Sequence, residues 1–448
     1  MRVSLRLGPE RHRKVRSLLL RPLSFQRIRG ERPRALWHPR RTILILISQE
    51  PATIYLDWAS TTPPDRDALI EATEIAVAFP GNPSSPHAPG LQAKEKLEEA
   101  RQGVRRRLCP VGSGNRLVFT GSGSEADAIP LLALVRKASK DGTRPHILVT
   151  AIEHAAIHEQ LPVLKRLGIE ATLVKPGADG RVDPAAFEAA LRPETEAVFA
   201  MAVNNETGAV QPVAEIAKAV ADRAARIGKR RPRVHVDAVQ ALGKLPFAPA
   251  ALGIDSAAFS GHKFRGPHGV GALWLGRDIE PLVLGGGQEG GVRPGTESLQ
   301  AVWAFRICLD RALDRFEVRL AAARSLERRL VEGLLDMGAM PLPLGRGPDD
   351  PRYSPYIISA AFPGLSGEVF VRALSAGCRE APEGVAVSTG SACSHNSRDK
   401  GRRVLEAMGL DKGLAFSSIR ISTGDLTTAG DIETFLAAAR AMHRALRA

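Results

Sequence analysis

Short apolar strands alternate with helices from about residue 90 to residue 275, and this alternation constrains the fold more than any other feature. The strand-like runs are Leu117–Phe119, His146–Thr150, Ala171–Val174, Val198–Val203, Val234–Asp237, Ala257–Ser260 and Val270–Leu275. The helical stretches between them are Glu125–Lys140, Ala155–Leu167, Pro184–Leu191 and Val213–Arg226. Apolar strands that alternate with helices indicate a mostly parallel sheet covered on both faces. The sequence therefore predicts an α/β fold.

Two charged residues follow strands of this predicted sheet, where ligands of parallel sheets bind. Lys263 closes Ser260-Gly-His262-Lys263, and Asp237 closes His235-Val-Asp237, 26 residues earlier. A desolvated lysine can form a Schiff base. A buried carboxylate needs a cationic partner, and a protonated pyridine nitrogen is one. An ordinary loop lysine and an N-cap aspartate are the alternatives, and the spacing favours a shared site.

Four further motifs contain residues that could take part in binding or catalysis, and each is weak evidence for a functional site when taken alone. Gly121–Glu125 is a Gly/Ser turn that opens a helix, a typical phosphate-binding arrangement. His154 at a strand end can stack on a planar ring or move protons, although lone histidines are usually structural. Cys393 lies in a Ser/Gly loop and is a candidate nucleophile, whereas Cys109, Cys308 and Cys378 have the context of packing residues. Arg420 in a strand-like run suits a carboxylate ligand or an internal salt bridge.

The regular alternation of short strands and helices ends after residue 296. A long helix is predicted over Glu297–Leu335, followed by a strand at Tyr356–Ala361, a helix at Ser366–Leu374 and a strand at Ile419–Ser422. We therefore predict a large domain over residues 51–310, with residues 51–65 as an arm that packs on a smaller α+β domain over residues 311–448. Residues 1–50 are predicted to be a disordered extension.

The basic charge of the chain is concentrated in this extension. Residues 1–50 contain 12 arginines and one lysine against three glutamates, which is +10 of the net charge of +14. This distribution argues against a nucleic-acid-binding face on the folded body. An Arg-rich, acid-poor segment is also typical of a transit peptide, but we favour a disordered extension or a misplaced translation start. No run is long enough to span a membrane, and no metal site is predicted.

The order of the motifs resembles the cysteine desulfurases, a group of the class V aminotransferase-like proteins with pyridoxal-phosphate (PLP) fold type I. The resemblance covers about residues 53–445. The motifs are Tyr55–Asp57, Thr61–Pro63, Gly81–Ser85, Thr120–Glu125, Glu153–His154, Asn204–Glu206, His235–Asp237, Ser260–Lys263, Arg293–Thr296, Ser391–Cys393 and Ser418–Arg420.

The resemblance implies a role for each candidate residue. Lys263 would hold PLP as a Schiff base, Asp237 would pair with the pyridine nitrogen, Gln240 would contact the ring hydroxyl and His154 would stack on the ring. The phosphate would be bound by Gly123, Ser124, Ser260 and His262, together with Thr296 from the neighbouring subunit of a homodimer. Asn205 and Arg420 would hold the substrate carboxylate. Cys393 would accept sulfur from L-cysteine as a persulfide and pass it to an acceptor protein for iron–sulfur clusters or thio-cofactors.

Some positions depart from the pattern of the group. The phosphate turn reads Gly-Ser-Gly-Ser, Ala128 stands where asparagine is usual, and Pro130 is expected to break the following helix. The segment after Cys393 is basic, so its side chains would lower the pKa of the thiol, remain solvated or bind an acidic partner.

The alternatives are a selenocysteine lyase or cysteine-sulfinate desulfinase, and a catalytically silent scaffold homologue. We expect a cytoplasmic protein, or a mitochondrial one if the extension is a transit peptide.

Because the extension carries most of the excess charge and no convincing core pattern, we predict that it is dispensable. A protein that begins at Pro51 should fold and bind PLP like the full chain, as measured by thermal unfolding and by absorbance. Loss of folding or of cofactor binding in this truncation would contradict the prediction.

Overall fold

The computed structural model describes residues 53–109, 114–390 and 402–447. The predicted extension over residues 1–50 lies outside them. A seven-stranded sheet is the centre of the fold, and its strands are almost entirely buried except for the edge strand Glu170–Val174, which is largely exposed. Its strands are β2 (Arg116–Thr120), β3 (His146–Thr150), β4 (Glu170–Val174), β5 (Thr195–Met201), β6 (Arg233–Asp237), β7 (Ser256–Ser260) and β8 (Gly271–Leu275).

The strand order is β2-β8-β7-β6-β5-β3-β4. Strand β8 runs antiparallel to both of its neighbours, and the other pairings are parallel. The α/β class and the mostly parallel sheet are therefore confirmed. All strands except β8 end at one edge of the sheet, which places the residues that follow them side by side.

Helices flank this sheet. They are α1 (Arg66–Ala78), α2 (Ala88–Leu108), α3 (Gly123–Asp141), α4 (Ala155–His158), α5 (Leu161–Arg166), α6 (Pro184–Ala190), α7 (Val213–Arg226) and α8 (Leu299–Asp314). Apolar side chains of α2, α7 and α8 pack in one cluster with the sheet, and those of α3 and α5 pack with β3 and β5 in another. Within the described ranges, no helix combines the length and apolar character of a membrane span.

Three predictions about helices are wrong. Pro130 lies inside α3 without ending it. Its missing N–H removes one helical hydrogen bond, while Leu131 and Leu134 on the next turn pack into the core and hold the helix. The helix predicted over Ala155–Leu167 is two short helices, α4 and α5. The long helix predicted over Glu297–Leu335 is likewise interrupted at Arg315, between α8 and the next helix.

The remaining elements form a second group, apart from the two short helices at residues 403–407 and 412–416, whose buried Val404, Leu405 and Ala415 pack in the cluster of the large sheet. The remaining elements are β1 (Ile54–Tyr55), α9 (Phe316–Asp336), β9 (Met340–Leu342), β10 (Ile357–Ala361), α10 (Gly367–Ala376), β11 (Val385–Ala386), α11 (Arg403–Ala407), α12 (Lys412–Phe416), β12 (Ser418–Ser422) and α13 (Ala429–Ala445). Strands β9, β10 and β12 form an antiparallel sheet.

The chain near residue 54 joins this second group. Strand β1 pairs in parallel with β11, and Leu56 is fully buried in a cluster with Phe362, Phe370 and Phe435. The predicted boundary at residues 310 and 311 falls within α8, and the division into two domains stays a prediction.

Candidate active site

A cavity of about 1240 Å³ opens at the edge of the sheet where the parallel strands end. Ten of the twelve predicted site residues line it: Gly123, Ser124, His154, Asn205, Asp237, Gln240, Ser260, His262, Lys263 and Arg420. Thr296 is exposed and is not among the lining residues. Cys393 lies outside the described residues.

The N-terminus of α3 points a row of backbone donors at this cavity. The Ser122 side chain caps the helix by accepting a hydrogen bond from the Glu125 N–H at 3.1 Å. Within the described part of the chain, the N–H groups of Gly123 and Ser124 have no acceptor. Because unpaired N–H groups and the helix dipole favour an anion, this turn suits a phosphate. Buried Ser260 lies beside it, within 3.2 Å of where a Cβ on Gly123 would stand.

Asp237 ends β6 with its side chain buried beside the cavity. Its Oδ1 accepts a hydrogen bond from the Val239 N–H at 2.9 Å, so the capping interaction that the sequence left open is present. Burial raises the pKa of Asp237, while the nearby His154 and Lys263 act in the opposite direction. A cation bound in the cavity would therefore stabilise its ionised form.

Two other buried carboxyl groups, Asp127 and Glu153, interact electrostatically with Asp237. In the sequence, Glu153 stands out only as part of the Glu153–His154 motif, and Asp127 does not stand out. Burial raises the pKa of Glu153 to about 8 and raises that of Asp127 well above its usual value. Asp127 lies 3.1 Å from Nε2 of His235, whose pKa burial lowers to about 3. These groups therefore favour their neutral forms. The sequence feature that could have indicated the Asp127 site is its partner His235, a polar residue inside an apolar strand.

Lys263 lies directly after β7 in a short 3-10 turn, and its side chain reaches residues 59 and 60. Its Nζ donates to the carbonyl oxygens of Ala59 and Ser60 at 2.7 and 2.6 Å. The neighbouring His262 has its Nδ1 3.1 Å from Thr61 Oγ1. Burial is the largest cause that lowers the pKa of His262 to about 3, and the positive charge of Lys263 is the next largest. His262 is therefore a neutral hydrogen-bonding group at physiological pH.

Arg420 enters the cavity from β12 and is almost completely buried. Its Nη1 donates to the Asn205 carbonyl at 2.9 Å, and its Nη2 pairs with Asp57 Oδ1 at 2.8 Å and Ser60 Oγ at 2.7 Å. The internal salt bridge that the sequence left open is thus present. Its Nε is buried without a partner among the described atoms, and this unsatisfied donor favours an anionic ligand.

The chain matches the class-V aminotransferase family over residues 54–435. It is 35% identical over 389 residues to cysteine desulfurase IscS of Salmonella arizonae, covering 85% of this chain and 90% of that protein. The chain belongs to the class-V aminotransferase family. A mitochondrial cysteine desulfurase of Eremothecium gossypii is 34% identical, over 85% of this chain and 74% of that one. The solved structure of a NifS-like protein is 30% identical, with a TM-score of 0.76 over 87% of this chain and 99% of that one.

Members of this class-V family use PLP, and the cavity fits that cofactor. The N-terminus of α3 offers donors for the phosphate, and buried Asp237 offers a carboxylate for the ring nitrogen. Lys263 offers the amine for a covalent link to the aldehyde carbon.

Two arginines that directly follow segment 391–401 donate hydrogen bonds to backbone carbonyls. Arg402 is 3% exposed and donates to the Thr389 carbonyl. Arg403 is partly buried and donates to the carbonyl oxygens of Ala151 and Glu153, directly before His154. The alternative that these basic side chains remain solvated is therefore wrong for Arg402, which is buried, whereas Arg403 is partly buried and bound by two backbone carbonyls.

Among the described cysteines, Cys109 and Cys308 are buried, which confirms them as packing residues. Burial raises the pKa of Cys308 to about 12 and also raises that of Cys109, so neither favours the thiolate. Cys378 is half-buried and packs against the cluster around β10 and β12.

We predict that Gly271→Ala weakens PLP binding. Gly271 pairs with both Thr120 and Ser260, and a Cβ there would lie 2.4 Å from the backbone carbon of Ser122 and 2.8 Å from the Gly123 nitrogen. The phosphate turn must shift to relieve this overlap. Overpacking of this kind costs about 1–3 kcal/mol, so the Kd for PLP should rise about 5- to 150-fold in a titration of apo-protein.

Gly347→Ala is the matched control, because a Cβ at Gly347 would meet nothing within 4 Å. It should bind PLP like the unchanged protein. Equal affinity in Gly271→Ala would contradict the assignment of this turn to the phosphate.

Proposed function

We propose that this chain is a PLP-dependent cysteine desulfurase that converts L-cysteine to L-alanine and receives the sulfur on Cys393. The observation that carries the proposal is the convergence of Lys263, Asp237 and Arg420 on one cavity, in a chain whose relatives are named cysteine desulfurases. The atoms balance: the C–S bond of the substrate breaks and an S–S bond forms on Cys393. The proton lost from the Cys393 thiol is matched by the proton that the substrate carbon gains, so L-cysteine loses one sulfur atom and the thiol becomes a persulfide.

When bound, PLP supplies an electron sink that weakens bonds at the α-carbon of the substrate. We propose that Asp237 keeps a proton on the ring nitrogen. Because Asp237 is buried, its carboxylate is stable only beside a cation, and the protonated ring nitrogen would be that cation. Lys263 would hold the cofactor covalently. Partly buried His154 would stack on the ring in its neutral form, because burial lowers its pKa.

The substrate carboxylate would be bound by Arg420 and Asn205. Arg420 is held in place by Asp57, Ser60 and the Asn205 carbonyl, so little side-chain freedom remains to be lost on binding. Its buried Nε supports this role, since a carboxylate oxygen would satisfy it.

Cys393 is proposed as the sulfur acceptor. The described residues on either side of its segment support this role, because Gly390 and Arg403 both line the cavity. Arg402 donates to the Thr389 carbonyl and so ties the two ends of the segment together. A nucleophile between these ends would be within reach of the substrate.

We propose that the enzyme is a homodimer in which Thr296 of each subunit contacts the phosphate in the other, and the exposure of Thr296 is compatible with this role. An acceptor protein would take the persulfide sulfur for iron–sulfur clusters or thio-cofactors. The relatives include bacterial and mitochondrial desulfurases, and we propose a cytoplasmic location, or a mitochondrial one if residues 1–50 are a transit peptide.

An assay with cysteine, selenocysteine and cysteine sulfinate in parallel tests the proposed reaction. Formation of alanine and sulfide from cysteine is expected. Turnover of selenocysteine or the sulfinate alone would favour a lyase or desulfinase, and no turnover of any substrate by PLP-loaded protein would favour a silent scaffold.

Cys393→Ser should retain PLP yet lose sulfide release from cysteine by at least about 100-fold, since no other group would receive the sulfur. Mass spectrometry of the unchanged protein after reaction with cysteine should find the mass of one extra sulfur on the peptide that contains Cys393. Cys378→Ser is the matched control and should keep full activity. Full activity in Cys393→Ser, or sulfur on Cys109, Cys308 or Cys378, would overturn the mechanism.

A further inference from the structure

A buried lysine stands behind the cavity, on the turn that follows β6. Lys244 is 4% exposed, and its Nζ donates to Oε1 of Gln240 at 2.8 Å. Within the described residues it forms no ion pair with a carboxylate. Lysine is almost never fully buried without a charged partner, so its position needs another explanation than a structural salt bridge.

The surroundings of Lys244 oppose its charge. Burial, followed by the positive charges of Lys263, Arg319 and Arg420, lowers its pKa to about 7, while Asp425 acts in the opposite direction. Asp425 is itself paired with Arg319 at 2.8 Å. Folding therefore places an amine where its charged form is penalised, and the Gln240 amide oxygen is its hydrogen-bonding partner.

Lys244 is connected to the cofactor lysine through two groups. Gln240 lines the cavity, and its Nε2 donates to the Ala59 carbonyl at 2.9 Å. The same carbonyl accepts from Lys263 Nζ at 2.7 Å. A chain of hydrogen bonds thus runs from the buried amine to the site of covalent attachment.

This contact fixes which end of the Gln240 amide faces the cavity. Lys244 can donate to the amide oxygen whether it is protonated or neutral, and the Ala59 carbonyl, which can only accept, binds the amide nitrogen. The reversed amide would also place its oxygen against the Ala59 carbonyl. Lys244 and Ala59 therefore hold Nε2 as a donor, and its second hydrogen has no acceptor among the described residues.

We propose that Lys244 is a positioning residue that holds Gln240 as a hydrogen-bond donor to the ring oxygen of PLP. The inference rests on the proposed function, because it assumes that PLP occupies the cavity. Gln240 contacts the cofactor, and Lys244 acts through Gln240.

The test is a pH titration of the absorbance of the bound cofactor in the PLP-loaded Lys244→Met protein. Loss of a donor to the ring oxygen leaves more negative charge on the chromophore, which then holds its proton more tightly. The pKa read from the spectrum should rise by about half a unit to one unit, as expected for one hydrogen bond. Lys218→Met is the control, because Lys218 is exposed on α7, and it should leave this pKa unchanged.

Two further variants separate a positioning role from a merely structural one. Lys244→Arg, which can also donate to the amide oxygen, should restore the original spectral pKa. In a Gln240→Leu protein, adding Lys244→Met should cause no further shift. If Lys244→Met does not fold by circular dichroism, Lys244→Gln takes its place, since it is polar but not donor-only, and the same rise is expected.

An unchanged spectral pKa in folded Lys244→Met or Lys244→Gln would overturn the inference. A full shift in the Gln240→Leu background would also overturn it, because Lys244 would then act directly on the cofactor. Neither result would touch the proposed desulfurase activity. A wild-type protein without any cofactor band would instead contradict the proposed function itself.

Discussion

Burial of the Asp237 carboxyl at the end of β6 is the constraint on which the rest of the site depends. A carboxylate away from water is stable only beside a cation, and the carboxyls nearest to it, Asp127 and Glu153, favour their protonated forms. His235 and His154 favour their neutral forms. Among these five groups, Asp237 is therefore the one that a positive ring nitrogen would hold in its ionised form.

The positions of the cationic residues Lys263 and Arg420 depend on a second constraint, which is the placement of residues 57–60 beside the cavity. The carbonyls of Ala59 and Ser60 hold Lys263, and Asp57 holds Arg420. These groups are separated by more than 200 residues along the chain. Pairing of β1 with β11 and burial of Leu56 anchor this stretch, so packing far from the cavity sets the positions of both cations.

The sequence predicted those parts of the fold that local pattern determines. Apolar strands, the residues at their ends and the spacing of Asp237 and Lys263 were sufficient for the α/β class and for most of the cavity lining. Breaks such as Arg315 and the continuous helix through Pro130 were missed, because tertiary packing decides them. The contact of Lys244 with Gln240 and the burial of Arg402 were missed because a basic residue in a turn reads as solvated until its neighbours are known.

The most direct test of the account is to locate the covalent attachment of the cofactor. The PLP-loaded protein is reduced with borohydride, digested and mapped by mass spectrometry. The account predicts that the cofactor is attached to the peptide that contains Lys263, and that the adduct is lost in Lys263→Ala. Lys244 is the nearby comparison, because it too is buried and its pKa is lowered to about 7. Attachment to Lys244, or an adduct that persists in Lys263→Ala, would contradict the assignment of the site.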